Sequence, residues 1–277
     1  MKVYDCFPFF NELDLLEIRL QELWDTVDYF VLSESNLSHS GKPKEYIFEN
    51  NKERFTPYLS KIRHIKVDDM PSTKDSWVRE RFQRQAVARG LGDLAAEDIV
   101  IVSDLDEIPR AEAIAMIKED ENDWDRYILQ IPMFQYKINY MLINPVTKVP
   151  NIMVARGRVF TNPQQEREYT FGWNPKPADT VFVDHAGWHF SYFGDNQHAI
   201  TKIQNFAHTE SDTPEMIQRH NIDYFIENKC GHHGPTHPER YEYVVVDEYF
   251  PKCIVDNLAQ WAHMVIPNAT AHVEDLY

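Results

Sequence analysis

Apolar residues recur along the first half of the chain in two alternating periods. "KVYDCF" (residues 2–7) and "YFVLSE" (29–34) are short apolar runs of strand length, and "KIRHIKV" (61–67) alternates apolar and polar. Between the first two, Leu13, Leu16, Leu20, Leu23 and Trp24 fall at helical spacing with charges between them. A second amphipathic helix is predicted over 77–91, followed by a strand at Ile99–Val102 that is apolar on both faces. Pro109 stands where a helix can begin without losing a hydrogen bond, and "AEAIAMIKED" continues with strong helix formers. Strands separated by helices of this length imply a mainly parallel sheet flanked by helices. From Tyr127 the pattern changes to "YILQIPMFQYKINYML", "NIMVARGRVF" and "TVFVDHAGWHFSYF", which predict antiparallel or mixed strands, and from about Asp195 to helix and loop. With no internal repeat and no linker, 277 residues read as one continuous α/β domain with a C-terminal elaboration.

Charge narrows the partners. A formal net charge of -16 works against sequence-independent binding to nucleic acid or an anionic membrane, though not against an anionic ligand held by a metal or by local arginines. No apolar run approaches the length of a signal peptide core or a membrane span. Three widely spaced cysteines (Cys6, Cys230, Cys253) form no disulfide framework. The sequons at Asn36 and Asn268 then read as chance matches, and the expected setting is the cytoplasm.

The stretch "EDIVIVSDLDEIPR" (97–110) carries the chemistry. Open α/β sheets bind ligands at the carboxyl ends of their parallel strands, where Asp104 and Asp106 fall. If the backbone stays extended through Ser103–Asp106, both carboxylates point the same way, about 6.5 Å apart. Oxygen ligands of this sort suit magnesium or manganese completed by phosphate oxygens, and a cation would offset their mutual repulsion. The alternative is a solvated acidic loop before a helix. In "WVRERFQRQAVARGL", Arg79, Glu80, Gln83 and Arg84 gather opposite the apolar side of Trp77, Val78, Phe82, Ala86 and Val87. That polar side is either a solvated, ion-paired face or a set of arginines reaching a diphosphate.

The strings "VYDCFPFFNELDLLEIRLQEL", "VDYFVLSESNLSHSGKPK", "NKERF", "WVRERFQRQA", "IVIVSDLDEIPR" and "GWHFSYFG" together resemble glycosyltransferase family 17, in the family's order. The resemblance implies a GT-A type fold, a nucleotide-sugar-binding sandwich whose D-x-D motif holds manganese (or magnesium) against the diphosphate of UDP-N-acetylglucosamine. It implies inversion to a β-linkage, with Asp104 and Asp106 as the D-x-D pair and Glu34 and Ser35 near the nucleotide. On that view residues 1–125 form the nucleotide-sugar half, 126–207 the acceptor-side strands and 208–277 the elaboration. The acceptor is a glycan, with a bacterial or viral one as plausible as an N-glycan.

Such a transfer needs charge stabilisation at the leaving diphosphate, a general base, and alignment of the two sugars. "DHAGWHFSYFGD" (184–195) is the expected source of the last two. Asp184 is the first choice of base, followed by Glu210, Asp195 and Glu107. His189 either completes the metal's coordination or is structural, and Trp188 either stacks on a sugar or belongs to the core. "CGHHGPTHPER" (230–240) is either a zinc site or, more in keeping with its spacing, an exposed or acceptor-facing loop. The competing functions are a nucleotidyltransferase or different sugar transferase on the same fold, and a non-catalytic carbohydrate-binding protein.

Overall fold

In a computed structural model, which describes residues 1–144, 151–171 and 174–277, the strands fall into two sheets. In chain order they are β1 (Val3–Phe9), β2 (Tyr29–Ser35), β3 (Ile62–Val67), β4 (Ile99–Val102), β5 (Glu107–Pro109), β6 (Arg126–Leu129), β7 (Met133–Gln135), β8 (Tyr140–Leu142), β9 (Ile152–Arg156), β10 (Thr180–Val183), β11 (Gly187–Ser191) and β12 (Tyr241–Tyr243). The larger sheet has the order β10-β6-β9-β4-β1-β2-β3. Its β1 pairs in parallel with β2 and β4, β2 with β3, and β6 with β10, while β9 runs against both neighbours. This is the mainly parallel, helix-flanked α/β sheet that the alternating pattern predicts.

β4 is apolar on both faces because both faces are covered. Ile99 and Ile101 pack with Val3, Phe7 and the Leu16, Leu20 and Leu23 side of the Leu13–Leu23 helix. Val100 and Val102 pack with Tyr4, Cys6, Val87 and Leu91 on the other side. Each such side chain contributes about 1.5–3 kcal/mol on leaving water, and together they place the following turn at the sheet's carboxyl edge.

The smaller sheet, β12-β8-β7-β11-β5, packs around Ile108, Phe134, Trp188 and Phe190. Residues 127–142, continuous by hydrophobicity, are divided between the two sheets, with Pro132 between β6 and β7. A residue with no N–H cannot continue a ladder there. Pro109 likewise closes β5 instead of opening a helix. Glu107, Ile108 and Pro109 pair with His189, Trp188 and Gly187, and the helix Ala111–Glu119 starts only after Arg110. The seam is tight: Gly187 has φ +158°, and a Cβ there would stand 2.2 Å from the Ile108 carbonyl oxygen.

The predicted 77–91 helix is Ser76–Ala86, capped by Asp75 accepting from the Trp77 N–H at 2.9 Å, with a tighter turn over Val87–Gly90. The polar side does not face water as a solvated-helix reading has it, although Ala86 and Val87 of the apolar side are buried too. Arg79, Gln83 and Arg84 are buried, whereas Val78 is exposed. Among the described residues no helix is long and apolar enough to cross a membrane.

Candidate active site

The acids after β4 are not extended. The strand ends at Val102, and the chain turns so that the Glu107 N–H donates to the Asp104 carbonyl at 3.1 Å and the Asp104 N–H to Glu107 Oε2 at 3.0 Å. The shape of this turn is set by Arg19, from the second turn of the Leu13–Leu23 helix. Its guanidinium is fully buried and forks onto Asp5 of β1 at 2.7 and 2.5 Å. It also donates to the carbonyls of Asp104, Leu105 and Glu107 at 3.0, 3.1 and 2.7 Å and to Ser103 Oγ at 2.7 Å. A buried charge is tolerable only when it is paired and its N–H groups are engaged, and Arg19 meets that condition by holding the turn.

The turn forms one wall of a cavity of about 370 Å³ that opens beyond β1, β2 and β4, with Phe9, Phe10, His39, Phe171, Tyr192 and Phe206 also lining it. Asp104 accepts from Arg84 and from Arg167 at 2.9 Å each, one oxygen to each arginine. Arg167, from the helix Pro163–Thr170, also grips both Glu107 oxygens at 2.7 Å, and Arg84 pairs with Glu80 at 2.9 Å. Asp106 is served from the opposite side. Its Oδ2 accepts from Lys202 Nζ at 2.6 Å, Lys202 lying on the helix Asn196–Asn205, and His189 Nε2 is 3.8 Å away. Withdrawal from water works against ionising both aspartates. Arg167 and Arg84 outweigh it at Asp104, and Lys202 and His189 at Asp106, so both stay well below the usual carboxylate range. Burial alone would keep His189 neutral, but Asp106 raises its pKa above the ordinary imidazole value. Glu107 goes the other way, raised by burial that Arg167 only partly offsets.

Of the polar residues singled out by sequence, Glu80, Gln83, Arg84, Asp104, Asp106, Glu107 and His189 line this cavity. Others lie elsewhere. Glu34 is fully buried, accepting from the Phe48 N–H at 2.9 Å with His64 at 3.0 Å, and Ser35 Oγ accepts from the Leu37 N–H at 3.0 Å, so both brace the loop after β2. Arg79 donates to the carbonyls of His39 and Thr73 and so ties down the loop bearing His39. Asp184 is exposed in the turn before β11, outside the cavity lining, because β11 runs from that turn toward the cavity and delivers His189 and Ser191 instead. Glu210 is exposed and pairs with His208, and Asp195 caps the Asn196–Asn205 helix. Trp188 is core: buried, its Nε1 donates to the Tyr249 carbonyl at 3.1 Å, and the Arg110 guanidinium lies 4.4 Å from its ring. In the 230–240 loop, the rings of His232, His233 and His237 lie tilted against one another, with centroids 4.0 and 4.6 Å apart. Among the described residues no three His, Cys, Asp or Glu side chains converge as a metal cage, in this loop or elsewhere.

The cavity nonetheless suits a divalent ion that arrives with a phosphate ligand, since such ions keep waters and need only one or two protein carboxylates. Asp106 Oδ1 has no hydrogen-bond partner among the described residues, and neither has Nδ1 of the neighbouring His189. The five lining acids, Glu12, Glu80, Asp104, Asp106 and Glu107, outnumber the lining arginines and lysine, Arg84, Arg167 and Lys202, with His189 as a further partial cation. A diphosphate would therefore enter more readily with a cation.

Glu12, Lys202 and Arg167 were not singled out by sequence. Each is one charged residue on an ordinary amphipathic segment, brought to the cavity by contacts 60 or more residues long in the case of Arg167 and Lys202.

The chain matches the model of glycosyltransferase family 17 over residues 1–248. It is 29% identical over 125 residues to a β-1,4-mannosyl-glycoprotein 4-β-N-acetylglucosaminyltransferase of Rattus norvegicus, covering 42% of this chain and 23% of that one. The Homo sapiens protein of the same name is 30% identical over 116 residues, covering 39% and 22%. The match thus spans less than a quarter of the length of these relatives. A crystal structure of S. aureus TarS 1–349 superposes with a TM-score of 0.36 at 10% identity, over 82% of this chain and 72% of that one, too loosely to bear on function. With the family model spanning most of the chain, the protein belongs to glycosyltransferase family 17.

Proposed function

We propose that the protein transfers N-acetylglucosamine from UDP-N-acetylglucosamine to a hydroxyl of a glycan acceptor, with inversion to a β-linkage. The observation that carries this reading is the Asp104–Asp106 turn at the carboxyl edge of β4, held by Arg19 and facing a cavity walled by Arg84, Arg167 and Lys202. The names of the relatives supply the sugar. The nucleotide diphosphate lies along this wall, Lys202 facing its oxygens, while Asp104 and its two arginines stay fixed and hold the site's shape without solvent reorganisation. A divalent ion, when bound through Asp106 and His189, adds Lewis-acid charge at the departing diphosphate. His39 is kept neutral by burial, and its Nε2 pairs with Gln83 at 2.9 Å beside the same cavity. With Nε2–H given to the Gln83 amide oxygen, the neutral ring leaves Nδ1 as an acceptor for a ribose hydroxyl.

A panel of nucleotide sugars, assayed for thermal stabilisation and for nucleotide release with and without manganese, tests the reading. UDP-N-acetylglucosamine is expected to stabilise the protein and to release UDP, more with manganese than without. Failure of every UDP-sugar on both measures, with manganese present, would sink it.

A further inference from the structure

Four of the five carboxylates that line the cavity are ion-paired: Glu80 to Arg84, Asp104 to Arg84 and Arg167, Asp106 to Lys202, and Glu107 to Arg167. A carboxylate held by a guanidinium or ammonium is a poor proton acceptor, because the cation stabilises its charged form. Glu12 is different. Its Oε2 accepts from the Asn11 N–H at 3.0 Å, and among the described residues no cation pairs with it at contact distance, Lys202 and Lys44 acting on it only from farther off. It sits at the start of the Leu13–Leu23 helix, yet its side chain does not cap that helix, so no structural duty of the usual kind explains its place.

Its location supplies a second, independent observation. Glu12, Tyr192 and Lys202 line the main cavity and also a neighbouring cavity of about 300 Å³, so these three side chains form the partition between the two. The neighbouring cavity is lined by Asn11, Arg54, Lys137, Asp195 and His263 together with the ring of Phe193. Hydrogen-bond donors and acceptors together beside an aromatic ring suit a polyhydroxylated sugar. The main cavity, with its arginines and the Asp104–Asp106 turn, is the side for the nucleotide sugar, and this leaves the second for the other substrate.

We propose that Glu12 is the catalytic base and that the second cavity holds the acceptor sugar; the proposal rests on the transferase reading above. In the step, Glu12 takes the proton of the acceptor hydroxyl. The freed oxygen lone pair forms the bond to the anomeric carbon, and the bond from that carbon to the diphosphate oxygen breaks, its electron pair leaving on UDP. Protonated Glu12 then returns its proton to solvent, so one acceptor hydroxyl and one nucleotide sugar give one glycoside, UDP and a proton. General base catalysis of this sort is worth about 10²–10⁴ in rate.

The test uses the full chain with manganese, UDP-N-acetylglucosamine, and two small acceptors: water, which has a proton to lose, and azide, which has none. Glu12→Gln is expected to bind UDP within threefold of wild type by calorimetry and to lose hydrolysis by about 100-fold or more. Azide is expected to restore UDP release at least tenfold and to yield the β-glycosyl azide by NMR. A purely positional role for Glu12 would not respond to azide. Glu12→Asp keeps the carboxylate but withdraws it by one methylene from the reacting hydroxyl; should Glu12→Gln melt far below wild type, a tenfold loss in Glu12→Asp that azide relieves supports the proposal equally. Hydrolysis by Glu12→Gln within tenfold of wild type, or a loss that azide leaves untouched, overturns it. If wild type itself neither binds UDP nor releases it from the sugar nucleotide, the transferase reading fails first, and the base assignment falls with it.

Discussion

Asp104 and Asp106 stand one residue apart in the same turn, yet the surroundings treat them differently. Both Asp104 oxygens are taken by arginines, and those arginines are themselves tied, Arg84 to Glu80 and Gln164, and Arg167 to Glu107 and the Asn151 carbonyl. Asp106 has one lysine, a histidine at 3.8 Å and an oxygen with no partner among the described residues. Lys202 reaches it on a flexible stem and is 25% exposed, whereas the Arg84 and Arg167 side chains are 5% and 3% exposed. A planar guanidinium that bridges two carboxylates fixes geometry, while an ammonium supplies charge that can shift. The Asp104 wall therefore behaves as scaffold even though its carboxylate is the more exposed, 34% against 8% for Asp106, and the Asp106 wall keeps an oxygen and a movable cation to meet a ligand.

The contrast can be broken experimentally, and the largest effect is expected at the scaffold. Arg167→Leu leaves Glu107, 1% exposed, without its cation and strips one partner from Asp104. Stability by urea denaturation should fall by about 3–5 kcal/mol. A fall under about 1 kcal/mol would mean that this wall is not scaffold.

Two histidines extend the contrast to pH. Asp106 raises the pKa of His189, so its contribution is fully present below the unfolded value near 6.5 and is lost as pH rises through the folded one. His232, its ring 5.7 Å from that of Tyr192 and tilted to it, is lowered to about 4 by burial and by the neighbouring imidazoles. There the unfolded chain takes up a proton that the folded chain refuses. Stability should thus decline between pH 6.5 and 4 by roughly 2 kcal/mol from this group. Melting temperatures of His232→Asn should lose most of that acid limb, and an unchanged limb would assign it elsewhere.

Substitutions on the free wall should show in binding more than in folding. Asp106→Asn is expected to weaken manganese-dependent UDP binding about 30-fold, near 2 kcal/mol, with little change in melting temperature. Calorimetry showing unchanged affinity would remove Asp106 from the site. Lys202→Met should cost about tenfold, near 1.4 kcal/mol, less because a diphosphate can still recruit metal and solvent ions. If the loss at Lys202 exceeds that at Asp106, the ammonium, not the carboxylate, is the principal contact.

Much of the fold was legible because its cause is local or periodic. The apolar runs at β1, β2 and β4 and the helical spacing from Leu13 to Leu23 report burial directly, and acids following a fully apolar strand mark a sheet's carboxyl edge. The failures share one cause, which is pairing between distant residues. The polar stripe of Ser76–Ala86 has the same pattern whether it faces water or buried acids, and here Arg84 faces Asp104 and Glu80. Extended geometry through Ser103–Asp106 was a fair inference for an isolated strand, but Arg19, 85 residues away from Asp104 in sequence, gathers the turn's carbonyls instead. Asp184 and His189 are five residues apart on one segment, and only the direction of β11 decides which of them reaches the cavity.

The length of those pairings bears on how the chain comes off the ribosome. Arg167 is 63 residues beyond Asp104, and Lys202 is 96 beyond Asp106. While the first half emerges, β1, β2, β3 and β4 can already assemble, with Arg19 in place beneath the turn. The clustered acids above it, however, repel one another until the later helices dock. Synthesis thus passes through a nascent intermediate whose growing edge, β4, still lacks its partner β9 and whose charges are unbalanced. Such a species is exposed to proteases and chaperones for the seconds that translation takes, and a chain truncated before Ile152, the first residue of β9, is expected to stay trapped there.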